Sequence, residues 1–283
     1  MKALIKDFIN FYIYSSLHIG LCAAFLYQFN VQRFYLSVDL EYAIFLVAGS
    51  IFIYSLHRLI GVLFIDKENQ TERFLVVRKF RNHLIFYTIV SAAFSLYFVY
   101  YFDISRLILL VFAGLLSLLY TLPIFSHRRL RDLPFIKIFL IAIVWTYLTL
   151  VMPLFEQGVD MNIIYFYSAS QILFFLGLTI PFDIRDIDID NLNQVKTLAT
   201  SHTMNQLHLI SFYLIASSTI LEIIGYYAFE NENTSGLISI ILAHLTTIYL
   251  IYKFRNKKHD YYYGGILDAM IMLPYLLYLI FTL

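Results

Sequence analysis

Apolar residues in this chain run on in long stretches; they do not alternate with polar ones or keep to one helical stripe. Nine such runs are centred near residues 18, 51, 92, 113, 144, 172, 218, 243 and 273. A run of about 20 apolar residues is long enough to cross the hydrocarbon core of a bilayer as a helix. Runs without alternation exclude the strands of a membrane barrel, whose residues face lipid and lumen in turn. Inside lipid the remaining structure that satisfies its own backbone is the helix. The pattern therefore predicts an all-α, polytopic membrane bundle of about nine transmembrane helices. Connections on one side are short, at roughly 29–40, 102–104, 153–162 and 229–236. On the other side they are longer and polar, at 65–82, 123–134, 183–206 and 253–261. No stretch is left for a soluble domain, so residues 1–283 read as a single transmembrane bundle domain.

Charge gives the bundle a direction. Only 14% of the residues are charged, against roughly a quarter in a soluble domain. A net charge of +1 gives no basis for a nucleic-acid partner. Its distribution is lopsided. Of 20 lysines and arginines, 18 fall at the N-terminal end or in and beside the longer connections; only Arg33 and Arg106 lie opposite. The positive-inside rule then places the N-terminus and the longer connections in the cytoplasm and the C-terminus outside, in the inner or plasma membrane if the source is bacterial. One cysteine, Cys22, excludes an internal disulfide and a cysteine metal cluster. The first run follows Lys2 and Lys6 but lacks a small-residue cleavage site, so it reads as a retained helix. There is no glycine-rich nucleotide loop, nucleophile elbow or paired-histidine zinc motif. Charges gathered at one face, with only five prolines, disfavour a transporter with broken helices at the midplane.

The stretch PFDIRDIDID, residues 181–190, carries candidate chemistry because it directly follows eighteen uncharged residues, 163–180. On a continuing helix Asp183, Asp186 and Asp190 stand at i, i+3 and i+7 and share one face. Such carboxylates repel one another unless a cation offsets them. A hard divalent cation such as Mg²⁺ suits these oxygens and prefers a few carboxylates together with phosphate oxygens. Asp188 falls off the face and reads as solvated, while Arg185 and Lys196 are placed to reach a phosphate or pair with the aspartates. A solvated helix end that anchors the interface is the plainer alternative. Four more ionisable residues lie within apolar runs: His18, Glu222, His244 and Asp268. Intramembrane charges mark pathways or paired contacts. The two histidines read as hydrogen-bonded helix contacts, Glu222 as bonded to a neighbouring hydroxyl, and Asp268, after YYYGG at 261–265, as a cavity residue.

The segment DIRDIDID, followed by VKTLAT at 195–200, resembles the second aspartate-rich motif of the UbiA family of intramembrane prenyltransferases. A second stretch, residues 115–146, resembles that family's helix-4 tyrosine, basic loop and helix-5 lysine, here Tyr120, Arg128 to Arg131 and Lys137. The resemblance implies a nine-helix bundle that transfers an isoprenoid chain from a polyprenyl diphosphate to a hydrophobic, often aromatic, acceptor. It implies Asp183, Asp186 and Asp190 as catalytic, Mg²⁺-holding residues and membrane lipid as the surroundings. It further points to His57, Arg58, Arg128, Lys137, Arg185 and Lys196 for the diphosphate, and to Tyr120 and Asp268 in the cavity. The family's first aspartate motif is altered. In residues 51–74, His57 stands where an asparagine is expected and Gly61 where the first aspartate is; the next carboxylates are Asp66 and Glu68. Three readings stay open at this stage. His57 with Asp66 or Glu68 rebuilds a ligand set; or His57 and Arg58 grip the diphosphate directly; or the chain keeps the fold and binds isoprenoids, quinones or a protein partner without transfer. The basic run RRLR equally suits anionic lipid headgroups, and residues 66–82 read as an amphipathic cap.

Overall fold

The structure is a computed structural model that describes residues 9–63, 77–123, 129–192, 194–230, 232–256 and 259–283. Among the described residues nine long helices follow one another: α1 (Leu17–Gln32), α2 (Leu40–Leu63), α3 (Arg81–Tyr101), α4 (Ile104–Thr121), α5 (Ile136–Glu156), α6 (Met161–Leu192), α7 (Met204–Phe229), α8 (Thr234–Lys253) and α9 (Tyr262–Thr282). No strand occurs among the described residues. Eight of the helices, α2 to α9, are long and apolar enough to cross a membrane. The protein is thus an integral, multi-pass membrane protein. The ninth, α1, has 16 residues, most of them buried, and it packs against both α2 and α9.

Three helix starts are set by side-chain caps. Asp103 caps α4 by accepting from the Arg106 amide, Thr203 caps α7 from Gln206, and Asn233 caps α8 from Gly236, the polar side chains that satisfy otherwise orphaned N–H groups. Neighbours in sequence pack as neighbours in space from α4 through α9, α2 holds α1, α3 and α4, and α9 closes against α1. The helices therefore surround a common interior. Glycines permit the closest approaches, as is usual between membrane helices. A Cβ on Gly177 of α6 would lie 2.6 Å from an Ile215 carbon of α7, and one on Gly20 of α1 would lie 3.0 Å from the Val47 carbonyl oxygen of α2.

The two ends differ. At one end Arg33, 1% exposed, donates to Glu222 at 2.7 Å and lies 3.5 Å from Glu232. Ser170 of α6 donates to Glu222 at 2.6 Å, and the Tyr167 hydroxyl donates to Glu232 at 3.2 Å. Glu222 therefore has the hydroxyl partner expected of it, and also a buried arginine. At the same end Arg106 bridges Asp39 and Glu156, at 2.7 and 2.9 Å. The histidines are helix contacts: His18 donates from Nε2 to the Gly265 carbonyl and accepts at Nδ1 from the Tyr12 hydroxyl. His244 bonds Thr219 and stacks on Phe174. The opposite end carries the aspartate-rich turns of α6. At 32 residues, α6 spans about 48 Å, well beyond a hydrocarbon core of about 30 Å. Its last turns therefore reach the boundary, where charges are tolerated.

Candidate active site at the aspartate end

The last ten residues of α6 keep their helical register through Pro181, so Asp183, Asp186 and Asp190 project from one face. All three are buried, at 2%, 7% and 5% exposed, whereas Asp188 is exposed. They face the start of α5. There Phe135, in the left-handed region at φ 62°, turns the chain out of the preceding loop, and its amide is held by the Lys196 carbonyl. That turn delivers Lys137 into the carboxylates. Its Nζ lies 2.8 Å from Asp183, 3.6 Å from Asp186 and 3.4 Å from Asp190. Arg185 adds a second cation: Nε and a terminal nitrogen donate to Asp186 at 2.9 and 3.3 Å. The guanidinium rests between Phe182 and Tyr263, about 5 Å from each ring.

A third cation comes from the turn Leu130–Asp132. Arg129 is bound by Asp132 in a bidentate pair at 3.0 and 2.9 Å. Burial would raise the Asp132 carboxyl, but the Arg129 hydrogen bonds outweigh it and hold Asp132 below its ordinary range. Arg131 instead enters the cavity. It donates to His57 Nε2 at 2.7 Å and lies 5.2 Å over the Tyr120 ring. Burial works against its charge, yet Tyr120, Asp186, Asp190 and Asp132 outweigh burial and raise its pKa. His57, accepting at Nε2, is thus a neutral imidazole that orients Arg131. The place where the resemblance expects carboxylates holds His57, Arg131 and Gly61.

Together these groups rim a cavity of about 280 Å³. Its deeper walls are aromatic and aliphatic, among them Tyr54, Trp145, Phe175 and Ile141. Of the residues singled out from sequence, His57, Arg58, Tyr120, Lys137, Asp183, Arg185, Asp186, Asp190 and Asp268 line this one cavity. Arg58 has its guanidinium tied to the carbonyls of Ile13 and Tyr14. Lys196 is exposed and contributes its backbone carbonyl to the Phe135 turn. Arg128, Asp66 and Glu68 lie outside the described residues, as does most of the segment read as a cap; Val77, at its edge, is buried in the cavity wall. Arg131 is the residue that sequence alone did not separate from its neighbours. The pairing of Arg129 with Asp132, three residues on, is the signal that could have singled it out.

The donor set fits one hard divalent cation. Asp183 Oδ1 is buried and faces Lys137 at an angle outside hydrogen-bond geometry, which leaves an oxygen under-satisfied. Among the described residues no group of three carboxylate, histidine or cysteine ligands converges tightly enough to cage a metal alone. Mg²⁺ is commonly held by one or two carboxylates together with phosphate oxygens.

The sequence matches the model of the UbiA prenyltransferase family over residues 63–261. No curated protein matches it in sequence. Among solved structures, a UbiA homolog from Aeropyrum pernix K1 superposes with a TM-score of 0.68 at 15% identity, over 94% of this chain and 98% of that one. A UbiA homolog from Archaeoglobus fulgidus bound to GPP and Mg²⁺ gives 0.63 at 14% identity, over 94% and 98%. The same homolog bound to DMAPP and Mg²⁺ gives 0.63 at 14% identity, over 93% and 95%.

Proposed function

This chain belongs to the UbiA prenyltransferase family, and we propose that it transfers an isoprenoid chain from a polyprenyl diphosphate to a hydrophobic, aromatic acceptor. The observation that carries this is the division of one cavity. Its rim concentrates Lys137, Arg131 and Arg185 beside three buried carboxylates, and its depth is apolar. A diphosphate ester of an isoprenoid alcohol has the same division. The Archaeoglobus fulgidus homolog bound to GPP and Mg²⁺ supports the reading by analogy.

In this reading Asp183, Asp186 and Asp190 would hold Mg²⁺ against the diphosphate, and the ion would supply Lewis-acid stabilisation of the leaving group. Lys137, now the counter-ion of the three carboxylates, turns to the phosphate oxygens. Arg131 approaches the diphosphate from the opposite wall, braced by His57, so a protein cation stands where the family's first carboxylate cluster is missing. Preorganised cations aimed at developing negative charge are the largest source of rate in such reactions. The bond between the allylic carbon and the diphosphate oxygen breaks, and its electron pair leaves with the diphosphate. The faces of Tyr54, Trp145 and Phe175 shield the allylic cation. The acceptor carbon forms the new bond and gives up its proton to Asp268, a carboxylate that lines the same cavity. The aspartate end faces the cytoplasm: the two basic residues at the other end, Arg33 and Arg106, are both neutralised by carboxylates.

A release assay tests the reading. The purified protein in lipid receives a labelled prenyl diphosphate and an extract of membrane quinone precursors. Wild type should release pyrophosphate and label a lipid, and Asp190→Asn should lower this at least a hundredfold. Tight binding of the diphosphate without release or labelling would favour a relative that only binds isoprenoids.

A further inference from the structure

A second cavity, about 230 Å³, adjoins the first. The two share Ile53, Tyr54, Ser117, Val144 and Trp145 as lining residues. At the shared boundary Trp145 Nε1 on α5 donates a hydrogen bond to the Tyr54 hydroxyl on α2, at 3.2 Å. From Lys137 in the first cavity to Leu148 in the second is about 17 Å along α5, directed away from the charged rim. Apart from a few hydroxyls the second cavity is apolar, with Phe45 and Leu148 in its walls. It lies between α2 and α4 with α5 behind, reaching Ser95 of α3.

Two glycines mark this space. Gly49 of α2 and Gly114 of α4 both line it, and a Cβ built on either meets nothing within 4 Å. The other glycines within helices whose surroundings are described have their Cβ space filled: Gly177, Gly225 and Gly236 would clash below 3.0 Å, and Gly20 would press on a carbonyl at 3.0 Å. Glycine inside a helix destabilises it relative to alanine. At Gly49 and Gly114 no packing contact and no left-handed backbone repays that loss. What the missing side chains leave is open space along one cavity, with Gly49 partly buried and Gly114 at its exposed side.

We propose that the second cavity receives the distal units of the isoprenoid chain past the Tyr54–Trp145 pair, and that Gly49 and Gly114 keep it wide enough for long-chain donors. The assignment rests on the prenyl diphosphate reading above, since the charged rim fixes the head and leaves the apolar branch for the tail. It makes two glycines the determinants of donor chain length.

The test uses the full chain in detergent and four probes: dimethylallyl, geranyl, farnesyl and geranylgeranyl diphosphate. Gly49→Leu and Gly114→Leu each place a side chain in open space, so both variants should melt at or above the wild-type temperature. Wild type should bind the longer diphosphates at least as tightly as the shorter. Each leucine variant should bind farnesyl and geranylgeranyl diphosphate at least tenfold more weakly while holding dimethylallyl diphosphate within twofold of wild type. Equal affinity of variants and wild type for all four probes would overturn the tail assignment and leave the diphosphate site standing. So would unchanged donor binding with a raised KM for the acceptor, which would give the cavity to the acceptor. Failure of wild type to bind any of the four would remove the prenyl diphosphate reading and this inference with it.

Discussion

At Lys137 one ammonium faces Asp183, Asp186 and Asp190, all within 3.6 Å, in a setting where none of the four side chains is more than a tenth exposed. Removing one partner of a buried ionic cluster leaves the rest uncompensated and costs about 3–5 kcal/mol. Lys137→Met should therefore lower the melting temperature of the protein in detergent by several degrees, and Mg²⁺ should recover part of the loss in the variant more than in wild type. An unaltered melt would mean that the carboxylates are not held by Lys137. The aspartates could be read from sequence because i, i+3, i+7 spacing survives any packing that keeps the helix. Arg131 could not be separated from the neighbouring Arg128 and Arg129, because which arginine turns inward depends on Asp132 claiming Arg129. The missing aspartate at Gly61 was visible; the Arg131 guanidinium brought to His57 from 74 residues away was not, since that contact forms only when α2 meets the connection before α5.

At the scale of the element, hydropathy alone marks every helix, because crossing lipid requires long apolar runs. It does not say which helix is interior. α1 is shorter and less apolar than α2 and α9, which flank it, and its C-terminal Arg33 reaches Glu222 of α7 and Glu232 in the α7–α8 connection. The sequence places Arg33 at the sparsely charged end but gives no hint of its partners, nearly two hundred residues away. The connection carries a pH dependence. Burial pushes the Glu232 carboxyl up to about 7 from an ordinary value of 4.5, with Arg33 opposing and Glu222 adding to the rise. Between these values the folded state holds a proton that the unfolded state has lost. Stability from this group is therefore present below about pH 4.5 and is lost as pH rises through about 7. Glu232→Gln should flatten the decline in melting temperature over that window. A decline of the same slope in the variant would place its origin elsewhere.

Across the whole molecule the two charged ends differ, and the proposed orientation places the aspartate end at the cytoplasmic face. With Cys22 replaced by serine, a cysteine in place of exposed Asp188 should react with an impermeant thiol reagent only after the cytoplasmic face is opened. A cysteine in place of exposed Asp160 should react from outside; the reverse pattern would invert the topology. The closed ring of helices was legible as a count of apolar runs, but the branched interior was not. A cavity is the absence of side chains from several distant segments, and Gly49 and Gly114 acquire meaning only when α2 and α4 face one space. The central claim is that the aspartate end of this bundle holds a prenyl diphosphate through a cation-bridged site. Its most direct measurement is geranyl diphosphate binding to the purified protein, titrated with and without Mg²⁺, for wild type and Asp186→Ala. Binding that Mg²⁺ strengthens at least tenfold, with that gain lost in the variant, is the predicted result. Binding indifferent to both the metal and the substitution, or no binding at all, would contradict it.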